Sequence, residues 1–197
     1  MAGVTPFVRV PHQCGDGQIQ KVLDAGAMGD NNPHIHTPAD AQRAIDVSKY
    51  PHVGKQSLTG IIPHFVMQPV PTEETVRMVN ACDSTVFIMV ETADALVCVD
   101  ELAALPWCDV LLVGANDLAS EIGTLGNWDQ DFIEALRKVG EAVKKHGKIF
   151  GIAGLYTRTD ILDQVVNEFG ARWIIGANDT GLLFGASKAN NALIRSI

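Results

Sequence analysis

Three carboxylates stand at comparable places in this sequence, each just beyond a run of apolar, mostly β-branched residues. Glu91 follows V-F-I-M-V, Asp117 follows V-L-L-V-G-A-N, and Asp179 follows W-I-I-G-A-N. If such runs are parallel strands, their C-terminal ends share the face that carries the active site in α/β proteins. Carboxylates gathered there repel one another, and their pKa values rise unless a cation sits between them. Oxygen-only ligands suit a hard divalent ion, Mg²⁺ or Mn²⁺, with Co²⁺ also allowed. Each acid also has a plainer reading, because an aspartate at a strand-to-helix turn caps the helix that follows. Thr180-Gly181 and an apolar run favour capping at Asp179, whereas Glu91, set against a five-residue apolar run, reads as a ligand.

The G-A-N-D segment occurs twice, at Gly114 to Asp117 and Gly176 to Asp179. Glycine at a strand end lets a backbone approach a ligand, and a helix start nearby offers N–H groups to the carboxylate of an organic acid. Arg9, in P-F-V-R-V, is costly on a short apolar strand unless it meets an acid or a ligand; its fixed charge suits a developing enolate oxygen, with a structural ion pair as the alternative. Asp24, in V-L-D-A-G-A, opposes the dipole of the helix it ends and needs another partner. His34 and His36 in P-H-I-H-T are spaced for a two-nitrogen metal site or are ordinary surface or core histidines, and no third ligand follows nearby. His12, His52, His64 and His146 stand in no motif, and nucleophile motifs, P-loops and G-x-G-x-x-G are absent.

The elements that must position these groups follow from composition and pattern. The chain has 197 residues, 47% hydrophobic and 19% charged, which suits one globular domain, 1–197. Its 15 basic and 23 acidic side chains leave a formal charge of −8 with no basic run, so a nucleic-acid partner is not expected. No apolar stretch approaches the roughly 20 residues that span a bilayer and no signal-peptide pattern opens the sequence, so neither a membrane partner nor export is expected and the address is cytoplasmic. Cys14, Cys82, Cys98 and Cys108 lack C-x-x-C spacing and read as reduced, mostly buried thiols.

Short β-branched runs alternate with amphipathic segments, the mark of an α/β fold of βα units around a parallel sheet. Strands are expected at Pro6 to Val10, Thr85 to Val90, Val110 to Val113, Ile149 to Ile152 and Trp173 to Ile175. Helices are expected from Asp16 to Leu23 with Gly26 as its stop, from the Thr37-Pro38 cap through Lys49, and from Thr72 to Ala81. Further helices are expected at Ala95 to Leu105, Asp131 to His146, Thr159 to Phe169 and from about Thr180 onward. A sixth strand position, Met28 to Pro33, carries Asp30-Asn31-Asn32 in place of apolar residues; buried, these must be hydrogen-bonded, solvated or metal-facing. Residues 51–71 form a long irregular connection, of the kind that often serves as a lid or contact.

The ordered string R-V-P, L-D-A-G-A, P-H, K-Y-P, V-E-T, V-D-E-L-A, V-G-A-N-D-L, S-E-I-G and I-G-A-N-D-T resembles the HpcH/HpaI aldolase family, metal-dependent pyruvate aldolases related to 2-keto-3-deoxy-sugar-acid aldolases and macrophomate synthase. The resemblance spans nearly the whole chain. It implies a (β/α) TIM-barrel-type fold shortened to about six βα units, assembled as a hexameric homo-oligomer with its last helix, 180–197, exchanged between subunits. It implies cleavage of a 4-hydroxy-2-oxo acid to pyruvate and an aldehyde, with Glu91 and Asp117 holding the divalent metal that grips the oxo acid. By the same resemblance Arg9 steadies the enolate oxygen, Gly114 and Ala115 lie against the substrate carboxylate, and Asp24 belongs to a catalytic base pair whose histidine sits on one of two further βα units that relatives carry ahead of the arginine strand. Relatives differ at Asp30-Asn31-Asn32, which is apolar in them, at Lys55-Gln56-Ser57, where an arginine is usual, and at Ala115-Asn116, where Pro-Ala is common. A keto-acid-binding relative without the base, and an oxaloacetate decarboxylase on the same metal site, are the alternatives.

Overall fold

The computed structural model describes residues 3–12, 14–128 and 130–197. Among these, six parallel strands form one sheet: β1 (Val8–Arg9), β2 (Gly29–Asn32), β3 (Thr85–Val90), β4 (Val110–Gly114), β5 (Ile149–Ala153) and β6 (Trp173–Ile174). They lie side by side in chain order and curl into an α/β half-barrel of the TIM-barrel type. A parallel neighbour can be reached only by a crossover long enough to hold a helix. The crossovers carry α1 (Asp16–Asp24), then α2 (Pro38–Ser48) and α3 (Thr72–Met78), then α4 (Ala93–Val97) and α5 (Val99–Ala104), then α6 (Ala115–Glu121) and α7 (Gln130–His146), and then α8 (Thr159–Asn167). Helix α9 (Asp179–Arg195) follows β6.

Side-chain alternation along β3 divides the interior. Val86, Ile88 and Val90 face the helices and pack with Ala41, Ala44 and Ile45 of α2 and with Leu111 and Val113 of β4. Phe87 and Met89 face inward with Val110 and Leu112. On that inner side Phe87 meets Phe7 and Trp173 edge-on at 5.2 and 5.0 Å, an aromatic cluster between the sheet's two edges. Helix α7 buries Phe132, Leu136, Val139 and Val143 as its apolar stripe predicts, and Gly147, at φ 66°, takes the left-handed turn that stops it. Thr37 caps α2 with a capping box: its hydroxyl oxygen accepts from Asp40 N, and the Asp40 carboxylate accepts from Thr37 N.

The sixth strand position is a strand. All four residues of β2 are buried, and its register sets Asp30 beside Val86 and Asn32 beside Ile88, so both polar side chains face the helices. There Asn32 Nδ2 donates to Asp30 Oδ2 (2.5 Å) and to the Phe87 carbonyl (3.2 Å). Nearby, buried Lys49 donates to the Asn80 and Ser84 carbonyls (3.2 and 2.6 Å) and to Ser84 Oγ (3.0 Å), and lies 3.9 Å from Asp109 Oδ2. Burial pushes the Asp30 carboxyl up to about 6, against the opposing pull of Asn32, Ser48 and the Lys49 charge; burial also lowers Lys49.

Several expectations are corrected. β1 keeps only two residues of Pro6 to Val10, because it is an edge strand pairing on one side. The helix expected from Ala95 to Leu105 breaks at Cys98, giving α4 and α5, and α3 opens at Val79 into a wider π turn, Val79–Asp83. Of the cysteines only Cys108 is buried; Cys82 sits in that π turn and is exposed. Residues 51–71 contain a 3-10 turn, Pro63–Phe65, followed by Val66 and Met67 in left-handed conformation.

Candidate active site at the strand ends

Glu91 leaves the C-terminal end of β3 on the inward side, continuing the alternation of Phe87 and Met89. Its side chain is 1% exposed. Oε1 accepts a hydrogen bond from the His34 backbone N–H at 2.7 Å and lies 3.6 Å from His34 Nδ1. Oε2 is buried and, among the described residues, has no hydrogen-bond partner. It hangs over Gly114, where an added Cβ would stand 2.5 Å from Oε2 and 3.2 Å from Glu91 Cβ, so the absence of a side chain at Gly114 makes the space this carboxylate occupies. Burial raises the Glu91 pKa and the Asp117 charge adds to the rise, while the His34 N–H, the His34 ring and the Arg9 charge oppose it. Asp117, Arg9 and His34 thus all act electrostatically on one buried carboxylate.

Asp117 is the third residue of α6, exposed in the turn that begins at Gly114 and buried Ala115. Arg9 pairs in register with Asn31, which pairs with Phe87, and so stands on the inward side. The burial cost expected of it does not arise, since β1 is an edge and Arg9 is exposed; among the described residues no carboxylate lies within ion-pair distance. Asp24 is not brought to this group. It ends α1 ahead of β2, at the sheet end opposite Glu91, where Gln20 Nε2 donates to it at 3.4 Å and its charge raises the Tyr50 pKa after burial has done so. The Asp179 carboxylate accepts from Thr180 N at 2.7 Å, and capping of α9 falls to its neighbour: extended Asn178 accepts from Gly181 N at 2.6 Å through Oδ1.

The two histidines of P-H-I-H-T part company. His36 Nδ1 lies 3.0 Å from Asp94 Oδ2, while His34 turns to Glu91, so the two-nitrogen site does not form. His34 has φ 50°, a left-handed conformation uncommon outside glycine, and this points its N–H at the carboxylate. No sequence signal announced that role. Joined to Glu91 through His34, a shallow, open depression of about 300 Å³ at the β1 and β2 ends is lined by Arg9, Val10, Pro11, His12, Pro33 and His34.

Glu91 Oε2, buried and without a hydrogen-bond partner among the described residues, and the Asp117 charge that acts on it are oxygen donors of the kind a hard divalent cation takes, while among the described residues no group of three or more His, Cys, Asp or Glu side chains is gathered to hold one. No helix among the described residues is long and apolar enough to cross a membrane.

The sequence profile of the HpcH/HpaI aldolase/citrate lyase family matches residues 1–184. A 4-hydroxy-4-methyl-2-oxoglutarate aldolase of Hapsidospora irregularis is 40% identical over 195 residues, covering 98% of this chain and 72% of that protein. A second, of Chaetomium globosum, is 39% identical over 184 residues, covering 93% of this chain and 68% of that protein. The crystal structure of an HpcH/HpaI aldolase from Desulfitobacterium hafniense DCB-2 shares the fold at a TM-score of 0.88 and 24% identity, over 100% of this chain and 74% of that one.

Proposed function

This chain belongs to the HpcH/HpaI aldolase/citrate lyase family and is a carbon–carbon lyase, and from that premise we propose that it cleaves a 4-hydroxy-2-oxo acid to pyruvate and a second carbonyl compound, with Glu91 and Asp117 holding a divalent cation. The observation that carries this reading is Glu91 Oε2, buried and, among the described residues, without a hydrogen-bond partner above Gly114 while the His34 N–H fixes the other oxygen. Two relatives near 40% identity named for 4-hydroxy-4-methyl-2-oxoglutarate support a branched dicarboxylate of that class as substrate. Retro-aldol cleavage of that acid breaks C3–C4: the 4-hydroxyl loses its proton and becomes a ketone, and the electron pair left on C3 takes up a proton, so one substrate yields two pyruvates.

A bound Mg²⁺ or Mn²⁺ supplies Lewis-acid polarisation of the 2-oxo group. The remaining work falls to the chain itself. Arg9, whose guanidinium stands on the inward side, offsets the negative charge that develops on the 2-oxo oxygen as the bond breaks. Gly114 and Ala115, at the turn from β4 into α6, put first-turn amides without intrahelical partners beside the substrate carboxylate. Asp24, at the far end of the sheet, takes no part in this chain's own site.

The proposal extends to assembly. No residue of α9 is buried, and Leu182, Leu183, Phe184, Leu193 and Ile194 are each at least 60% exposed. An apolar helix left uncovered by its own chain favours a homo-oligomer in which another copy covers it.

Pyruvate release from 4-hydroxy-4-methyl-2-oxoglutarate tests the activity. It is expected with Mg²⁺ or Mn²⁺ and to cease on chelation and in Glu91→Gln. Turnover indifferent to chelation, or intact in Glu91→Gln, refutes the reading.

A further inference from the structure

The cavity beside Glu91 carries one fixed charge, the Arg9 guanidinium. His12 and His34 add two imidazoles, Val10, Pro11 and Pro33 contribute apolar wall, and among the described residues no carboxylate lines it, in a chain whose formal charge is −8; Asp16 and Asp40 line the neighbouring cavity that shares His12 and His34. The His12 and His34 rings meet edge-on, centroids 5.0 Å apart at 77°, so each braces the other. Through its backbone N–H, His34 ties this cavity to Glu91. Three groups able to donate to an anion thus lie next to the carboxylate at which the 2-oxo acid is proposed to be gripped.

We infer that His12 and His34 form a specificity pocket for the second carboxylate of a dicarboxylic substrate, the one remote from the 2-oxo group; this rests on the aldolase reading above. The chemistry is that of charge-complemented hydrogen bonding. An imidazole has an N–H to donate in either tautomer, and the fixed Arg9 charge makes the cavity's potential favourable to an anion. About 300 Å³ is at the lower end of the size of small-molecule sites, matching a five- or six-carbon acid rather than a bulky aldehyde portion. A substrate with hydrogen or methyl in place of that carboxylate leaves these donors unmatched. A site built to bond a polar group discriminates strongly against an analogue lacking it.

The test compares two probes that the proposed reaction cannot cleave, 2-oxoglutarate and 2-oxopentanoate, which share a five-carbon 2-oxo acid frame and differ in the terminal carboxylate. Their dissociation constants are measured by calorimetry with saturating Mn²⁺. One hydrogen bond to a charged group corresponds to roughly tenfold or more in affinity. The parent protein is therefore expected to prefer 2-oxoglutarate by at least about tenfold. His12→Phe, which keeps a ring against His34 but removes the N–H, is expected to cut that preference by roughly tenfold, and His12→Gln, which restores a donor, to recover part of it. A parent without preference, or a His12→Phe variant that retains the full preference, overturns the inference. If the preference behaves as expected but no 4-hydroxy-2-oxo acid is cleaved, the aldolase reading falls while the carboxylate pocket stands.

Discussion

Asp30 provides a prediction with its magnitude worked from the fold. Its carboxyl lies within the sheet-to-helix layer, and burial lifts its pKa from the usual 3.8 to about 6. The groups facing it are Asn32 from its own strand and Ser48 and Lys49 from the end of α2, with the Cys14 thiol also feeling its charge. For an acid with a raised folded pKa, the contribution to stability is fully present below the unfolded value and is lost as pH rises through the folded one. The window is therefore pH 3.8 to 6. At 1.36 kcal/mol per pKa unit, the parent loses about 2–3 kcal/mol from this group between pH 4 and pH 7. Asp30→Asn keeps an oxygen to accept from Asn32 Nδ2 and has no charge to desolvate. Urea unfolding of both proteins at intervals from pH 4 to pH 7 isolates the effect, since every other titrating group cancels in the difference. The variant is expected to gain on the parent by about 2–3 kcal/mol across the range, most of it below pH 6. Parallel stability profiles would mean that Asp30 is ionised in the fold at little cost, and the account of β2 would be wrong.

Gly114→Ala sets a methyl 2.5 Å from Glu91 Oε2; Mn²⁺ affinity should fall roughly 10–100-fold, and stability by about 1–3 kcal/mol through overpacking, as read by calorimetry and urea midpoint. Leu136→Ala, in the fully buried stripe of α7, should cost roughly 2–5 kcal/mol in the same unfolding assay. Phe184→Asp, at a helix position 70% exposed in the single chain, should leave the subunit folded by circular dichroism yet shift its light-scattering mass toward 21.2 kDa; an unchanged oligomer would remove α9 from the interface.

How far the sequence disclosed these features depended on whether one residue's type determined the outcome. Strands β3 and β4 were legible because parallel strands covered on both faces must be almost continuously apolar, and Glu91 and Asp117 were legible as acids just past them. The strand character of Gly29–Asn32 was obscured because Asp30 and Asn32 meet burial through each other and through the Phe87 carbonyl, a pairing that spans 55 residues and leaves no local pattern. The cost expected of Arg9 on a short apolar strand did not arise, since an edge strand is exposed for reasons of sheet order, not of its own composition. Asp24 shows the same limit: helix α1 and its stop at Gly26 could be read, but which end of the sheet the last turn faces follows from the crossover as a whole. The His34 amide that fixes Glu91 was invisible, because a backbone donor in left-handed conformation has no signature in the side chain it carries.

The most direct measurement is Mn²⁺ titration, by calorimetry or electron paramagnetic resonance, of the parent, Glu91→Gln and Asp117→Asn. One ion per chain is expected in the parent, with affinity reduced in each variant by at least the roughly 100-fold that loss of a group supporting a ligand reaches. Undiminished binding in either variant would contradict it.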